Sequence, residues 1–327
     1  MFVRGALSAV ALAVCSGAFA QGTEKVRFQT DWVPSGEHAM YYGAWQKGIY
    51  AAEGLDITIT RGYGSGDTVT KLAGGAFEFG VADVGAVLTA RARQKIPVKT
   101  IATVYTYSPH SLFVLKSSGI TSFKGLEGKK IGITPGNSHR VYFPKVAEKS
   151  GTDPSKIVWV NMDGAAMAAQ LIAKNIDAAP FYSIHHYYQN KAANAAGQEI
   201  LVLPFVKTGF SIYAASLITS DKMVTEKPET VRKFLRASKK AFEWARDNSA
   251  EACKLHVQKV PEVAMDDCLG SLRATLEFVF GEHSKKFGWG KEDPARVDFT
   301  WQVVAESQEL DRKWDPKQAI NTSLLPR

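Results

Sequence analysis

Residues 31–59 read DWVPSGEHAMYYGAWQKGIYAAEGLDITI. They follow a short apolar run, VRFQ (26–29), and lead through a periodic stretch from His38 to Ala52 into a second strand-like run, LDITIT (55–60). Alternating apolar residues mark the strands, and apolar recurrence every three or four residues marks the intervening helix. Trp32, Pro34 and His38 thus stand where the first strand gives way to a helix. Two readings of that placement are open: local packing, or a strand end that faces a ligand.

The same rhythm continues. TVTKLAGG (68–75), FEFGVAD (77–83), the helical AVLTARARQ (86–94), VKTIATVYTY (98–107) and SLFVLK (111–116) form one set. KKIGIT (129–134), HRVYFPKVAEKSG (139–151), IVWVNM (157–162), GAAMAAQLIAKN (164–175) and IDAAPFY (176–182) form a second. Two successive β-α-β-α sets predict an α/β fold with two lobes and mainly parallel sheets. No low-complexity tether separates them, so strands must cross between the lobes; HSLFVLK (110–116) and FSIYAASLI (210–218) are the candidates. From Ser220 the chain turns helical. In PETVRKFLRASKKAFEWARDN (228–248), Val231, Phe234, Leu235, Ser238, Phe242 and Ala245 share one helical face behind Pro228, a residue tolerated at a helix start.

The first twenty residues read as an export signal: Arg4, an apolar run from Ala6 to Val14, and the small-x-small pattern Ala18-Phe19-Ala20. That run falls short of the roughly 20 residues that span a bilayer. The expectation is a periplasmic protein of 307 residues, once the twenty of the leader are taken from 327. Lipid anchoring through Cys15 fits poorly, because Val14 precedes it where a small residue is expected. Cleavage removes one arginine, so the net charge of +8 becomes +7, spread thinly along the chain. Without a basic stripe interleaved with aromatics, nucleic-acid binding has little support. Cys253 and Cys268 remain, an even count that an oxidising compartment would pair as a disulfide, the other reading being two buried thiols.

Motifs for catalysis are scarce. GYGSGD (62–67) puts Asp67 where a nucleotide fingerprint needs its third glycine, and neither serine in YGSGD or GNSHR has glycine on both sides at ±2. The seven histidines (38, 110, 139, 185, 186, 256, 283) show no metal-ligand spacing and read as solvated or bonded to partners. What remains is a set of loops at strand ends, where open α/β sheets bind ligands. These carry Trp32 with His38, Ser65 and Gly66 at a helix start, Asp83 after FGVA, Asn137, Ser138 and Arg140 in GNSHR, and Tyr182 after IDAAP. Ser138 would donate a hydrogen bond and Arg140 pair with an acid. Each also has a bland reading: Ser65, Ser138 and Asp83 as helix caps, Trp32 as packing.

The opening DWVP with His38 and KG–Y–EGLDITI, then FGVADVGAVLTARARQKIPV, SGITSFKGLEGKKIGI and EKPETVRKFLRASKKAFEWA, resembles the family of periplasmic binding proteins for thiamine pyrimidines, sulfonates, taurine and nitrate. The resemblance covers most of residues 26–246. It implies a two-lobed periplasmic-binding-protein fold of type II, with lobe 1 at 24–115 and 211–327 and lobe 2 at 116–210. It further implies a monomer that delivers a small molecule to the permease of an ABC importer in the inner membrane, the ligand held between closing lobes. Trp32 would be a stacking wall and His38 its polar neighbour. The family also contains a fungal-type thiamine-pyrimidine synthase that uses pyridoxal phosphate on a lysine and its own histidine. The equivalent positions here carry Ala82 and Ala86, and the segment matching its cysteine-rich run, TGFSIYAASLI, has no cysteine. No enzyme activity, cofactor or metal is therefore expected. For the ligand, Trp32, Tyr182 and Asp83 suit a planar pyrimidine-like or aromatic compound. Ser65, Gly66, Ser138 and Arg140 suit the alternative, a sulfonate, taurine or other organic anion.

Overall fold

The computed structural model describes residues 23–326; the leader and Cys15 lie outside them. The first set of elements runs β1 (Glu24–Gln29), α1 (Ala39–Gln46), β2 (Leu55–Thr60), α2 (Ser65–Ala73), β3 (Phe79–Asp83), α3 (Val84–Gln94) and β4 (Val98–Thr103). The second runs β5 (His110–Leu115), β6 (Lys130–Ile133), α4 (His139–Ser150), β7 (Val158–Asn161), α5 (Gly164–Ile172), β8 (Ala178–Tyr182), α6 (His186–Ala195) and β9 (Ile200–Pro204). The chain returns through β10 (Ala215–Ser220) and ends in helices α7 (Asp221–Glu226), α8 (Pro228–Asp247), α9 (Ser249–Lys259), α10 (Met265–Phe280), α11 (Glu282–Phe287) and α12 (Pro294–Ser307).

Two five-stranded sheets result, in the orders β2-β1-β3-β10-β4 and β7-β6-β8-β5-β9. In each, one strand is reversed: β10 is antiparallel to β3 and β4, and β5 to β8 and β9. Each is the first strand after the chain passes from one sheet to the other, so the crossings themselves lie in the loops that precede them. The cause is topological: β4 and β9 end at the side where the sheets face each other, so the strand that follows enters the other sheet from its carboxyl edge. The sheets are therefore mixed, with four strands aligned and one opposed. For the same reason residues 110–115, expected in the first lobe, belong to the second sheet, and the crossing lies before them.

Burial follows the sequence pattern. β2 alternates buried and exposed, as an outer strand with one covered face should, whereas β3 and β5 are buried throughout. The apolar face of α8 lies on the first sheet, with Phe234 stacked on Phe79 at 3.9 Å between ring centroids and edge-on to Phe28 at 5.4 Å. Truncating so central a ring costs about 3–5 kcal/mol. The C-terminal helices are not confined to one sheet: α12 packs against both α3 and α4, and α10 against α6. Cys253 on α9 and Cys268 on α10 form a disulfide.

Candidate functional site

The carboxyl ends of both sheets point into one gap. From the first sheet, β1 delivers Asp31 and Trp32, and β2 delivers Ser65; from the second, β6 delivers Asn137 and Ser138, and β8 delivers Tyr182 and His185. All line a common cavity of about 30 Å³, with Phe181 and His139 completing its wall. That volume is close to one water's share of liquid, far below the roughly 300 Å³ of a small-molecule pocket. As they stand here, the lobes leave no room for a small molecule in this inner cavity. Next to it, lined from both lobes, lies a larger groove of about 860 Å³, to which Gly66, Asn137, Arg140 and Trp159 contribute.

Glycines allow the lobes to meet. Gly64 has φ +120° and Gly136 φ +76°, conformations that side chains disfavour. The Gly66 N–H donates to the Gly136 carbonyl across the gap at 3.0 Å, and a Cβ on Gly66 would lie 3.0 Å from the Gly136 Cα. The spacing in GYGSGD that fits no nucleotide loop thus serves close approach of two backbones.

Beneath the cavity two buried polar groups join the lobes. In the first, Asp83 caps α3, its Oδ1 accepting from the Gly85 N–H at 2.8 Å, and also accepts from the Tyr142 hydroxyl of α4 at 2.5 Å. Its other oxygen lies 3.3 Å from Nε2 of His110, which meets the Ser138 hydroxyl at 3.1 Å, while Nδ1 meets that of Ser108 at 2.8 Å. Burial drives the Asp83 carboxyl up to about 7, against the bonds from Tyr142 and Gly85 and with the push of nearby Asp31. Burial, with His139 alongside, holds His110 neutral, far below the ordinary histidine value. The neutral His139 puts its Nδ1 proton on Asn137 Oδ1 at 2.9 Å, and burial lowers its pKa to about 3.

In the second group, Glu37 accepts from His185 Nε2 and from the Tyr105 hydroxyl, both at 2.6 Å. Burial opposes its charge, but the His185 and His38 imidazoles and these bonds hold it down to about 2. His38 takes the Ser35 N–H on Nδ1 at 3.1 Å, which leaves Nε2 facing Asp31 Oδ1 at 3.5 Å. Burial disfavours its charged form, yet the Glu37 and Asp31 carboxylates prevail and raise its pKa.

A family model described as NMT1/THI5 like matches residues 35–252. The chain belongs to the NMT1/THI5-like family. Its fold is that of the periplasmic binding proteins. The alkanesulfonate-binding protein SsuA of Xanthomonas axonopodis pv. citri, solved bound to MOPS, superposes with a TM-score of 0.73 at 16% identity, covering 92% of this chain and 99% of that one. Among curated relatives, riboflavin-binding protein RibY of Chloroflexus aurantiacus is 26% identical over 309 residues, 93% of this chain and 86% of its own. The 4-amino-5-hydroxymethyl-2-methylpyrimidine phosphate synthase THI11 of Saccharomyces cerevisiae is 27% identical over 285 residues, 82% and 83% of the two chains.

Within this NMT1/THI5-like chain the expected site residues divide. Trp32, Ser65, Asn137, Ser138 and Tyr182 come together on the cavity wall. Trp32 lies against Gly164 at the start of α5, where a Cβ would sit 2.7 Å from the indole. Ser65 and Ser138 are not side-chain caps: Ser65 Oγ accepts from the Asp83 N–H at 3.0 Å, and Ser138 holds His110. Four expectations need correction. Gly66 does not line the inner cavity; it makes the cross-lobe contact. Asp83 is fully buried at the end of β3, so it caps and latches and does not line the cavity. His38 is turned inward, where the Ser35 amide and Asp31 fix it, and supports Asp31 from behind. Arg140 lies off the inner cavity, exposed in the larger groove with its guanidinium 4.6 Å over Trp159. The sequence reading missed Asp31, His139 and His185 on the wall and Tyr142 and His110 beneath it. Asp31 had a signal, as the neighbour of Trp32 at the first strand's end; Tyr142, inside a helix of the other lobe, had none.

Proposed function

We propose that this protein is the solute-binding component of an ABC importer: it captures a small planar heterocycle between its lobes outside the cytoplasmic membrane and presents it to a permease. The observation that carries this reading is the composition of the inner wall. Trp32, Phe181 and Tyr182 supply aromatic faces, and Asp31 supplies a carboxylate, while no lysine or arginine stands among the lining residues described. Such a wall suits a ring that stacks and donates N–H groups. The name of RibY, a riboflavin-binding relative, and the pyrimidine named for THI11 agree with a nitrogen heterocycle. Binding without catalysis is supported by Ala82 and Ala86, which bring neither amine nor imidazole to the positions the synthase resemblance requires. An alkyl sulfonate is the second reading, because the amino ends of α2 and α4, at Ser65 and Ser138, both open on the cavity.

The test is a thermal-shift panel of riboflavin, 4-amino-5-hydroxymethyl-2-methylpyrimidine, an alkanesulfonate and pyridoxal phosphate. At a hundredfold excess over Kd a true ligand adds about 2.7 kcal/mol. A shift with either heterocycle is expected. A shift with the sulfonate alone overturns the ligand class, and an imine absorbance with pyridoxal phosphate overturns the non-enzyme reading.

A further inference from the structure

We propose that His185 reads the ligand with one ring nitrogen while the other ties the two lobes together. The ligand it fits is a planar heterocycle whose hydrogen-bonding edge spans Asp31 and His185. This rests on the binding function proposed above and names the residue that sets its specificity.

The imidazole of His185 stands on the cavity wall at the end of β8, 2% exposed. Its Nε2 is committed: it donates to Glu37 Oε1 at 2.6 Å. Glu37 belongs to the first lobe, in the turn Gly36–His38 before α1, and is held there by Tyr105 and by the Ser35 hydroxyl at 3.3 Å. The bond therefore exists only when the lobes are together. Among the described residues Nδ1 has no hydrogen-bond partner. Several other buried side-chain atoms among the described residues also lack partners, but His185 is the one residue among them that lines the inner cavity. Buried polar atoms in native proteins are nearly always paired, and an unpaired one on the wall of a ligand site is a natural point of recognition. The bond to Glu37 fixes the ring's orientation, and Tyr182 and Tyr188 flank it at 6.0 and 5.7 Å between centroids. On the same wall, the carboxylate of Asp31 offers acceptors that suit an N–H or amino group. A ligand bridging Asp31 and Nδ1 gains from both lobes at once. Because it engages the same ring that holds Glu37, occupancy and closure reinforce each other.

Two near-isosteres separate the roles. The amide nitrogen of glutamine falls near the place of Nε2, and that of asparagine near the place of Nδ1. His185→Gln should keep the bond to Glu37 and the closed fraction seen by small-angle scattering, yet bind riboflavin or 4-amino-5-hydroxymethyl-2-methylpyrimidine at least about tenfold more weakly. His185→Asn should lower the closed fraction, with and without probe. Should that variant fail to fold, Glu37→Leu, which removes the acceptor at similar size, reads out the same latch. Wild-type affinity in His185→Gln overturns the reading role, and an unchanged closed fraction in the latch variant overturns the tie. If the wild type binds neither heterocycle, the proposed function falls and the reading role with it, while scattering of the free proteins still decides the latch.

Discussion

Replacing Asp83 by asparagine should leave stability near that of the wild type at pH 4 and raise it above the wild type past neutrality. The carboxyl is fully buried, and the groups that face it are the Tyr142 hydroxyl from α4, the Gly85 amide of its own helix, His110 from β5 and, less directly, Asp31. Burial raises its pKa from 3.8 to about 7. The unfolded chain releases this proton near 3.8 and the folded chain keeps it to about 7. The stability it contributes is thus complete below the lower value and is lost as pH rises through the upper one. Over that span the loss amounts to about 4 kcal/mol. Asparagine has no proton to lose. Its Oδ1 can still accept from Tyr142 and Gly85, and its amide meets a His110 that burial keeps neutral. Urea unfolding of both proteins at intervals from pH 4 to 8 gives the difference, in which Glu37 and His38, common to both, cancel. A difference that stays flat with pH, or a variant less stable than wild type at pH 8, would refute the reasoning, because it would mean that Asp83 is ionised against a charged His110.

Other substitutions test the remaining parts. Trp32→Ala should weaken binding of the heterocycle by about 2 kcal/mol, roughly thirtyfold in Kd, with little change in the free protein's melting point; unchanged affinity by calorimetry would show that the indole is not a wall of the site. Gly66→Ala places a methyl 3.0 Å from the backbone of Gly136 and should move the population toward the open form in small-angle scattering, without loss of helicity. A wild-type scattering profile would mean that the two loops do not meet in solution. Replacing both Cys253 and Cys268 by serine should lower unfolding stability by about 3 kcal/mol, the value for a loop of about 15 residues. Equal stability under non-reducing conditions would show that the bond does not form.

Much of this architecture is legible in the chain because it is local. The strict alternation in LDITIT reports a strand with one covered face, and the spacing from Val231 to Ala245 reports the buried side of α8. Trp32, Ser65, Ser138 and Tyr182 could be placed because a strand end in a doubly wound sheet has a fixed address. The direction of β5 and β10 could not, since it follows from which edge of the second sheet the chain enters. Nor does a loop position say which way a side chain leaves. His38 and Trp32 share one loop, yet the Ser35 amide and Asp31 turn the imidazole inward while the indole reaches Gly164 across the gap. Arg140 begins α4 beside Ser138, but on the helix's outer side.

The contacts that hold the lobes together share a physical character. Gly66 with Gly136, Tyr142 with Asp83, and His185 with Glu37 are hydrogen bonds between groups that water would otherwise satisfy when the lobes part. Each exchanges a bond to water for a bond to protein, so its net worth is small, about 1 kcal/mol for a neutral pair and about 1.5–3 kcal/mol where the acceptor is the charged Glu37. Bonds of this size let modest increments bear on whether the lobes stay together. The increments have two natural points of entry, the Asp83 oxygen beside His110 and Nδ1 of His185, since both are buried without a hydrogen-bond partner among the described residues. A proton answers the first and a ligand's polar edge the second. A hinge closed by apolar packing alone would respond to neither, which is why the polar character of the joint is itself an argument for a binding protein.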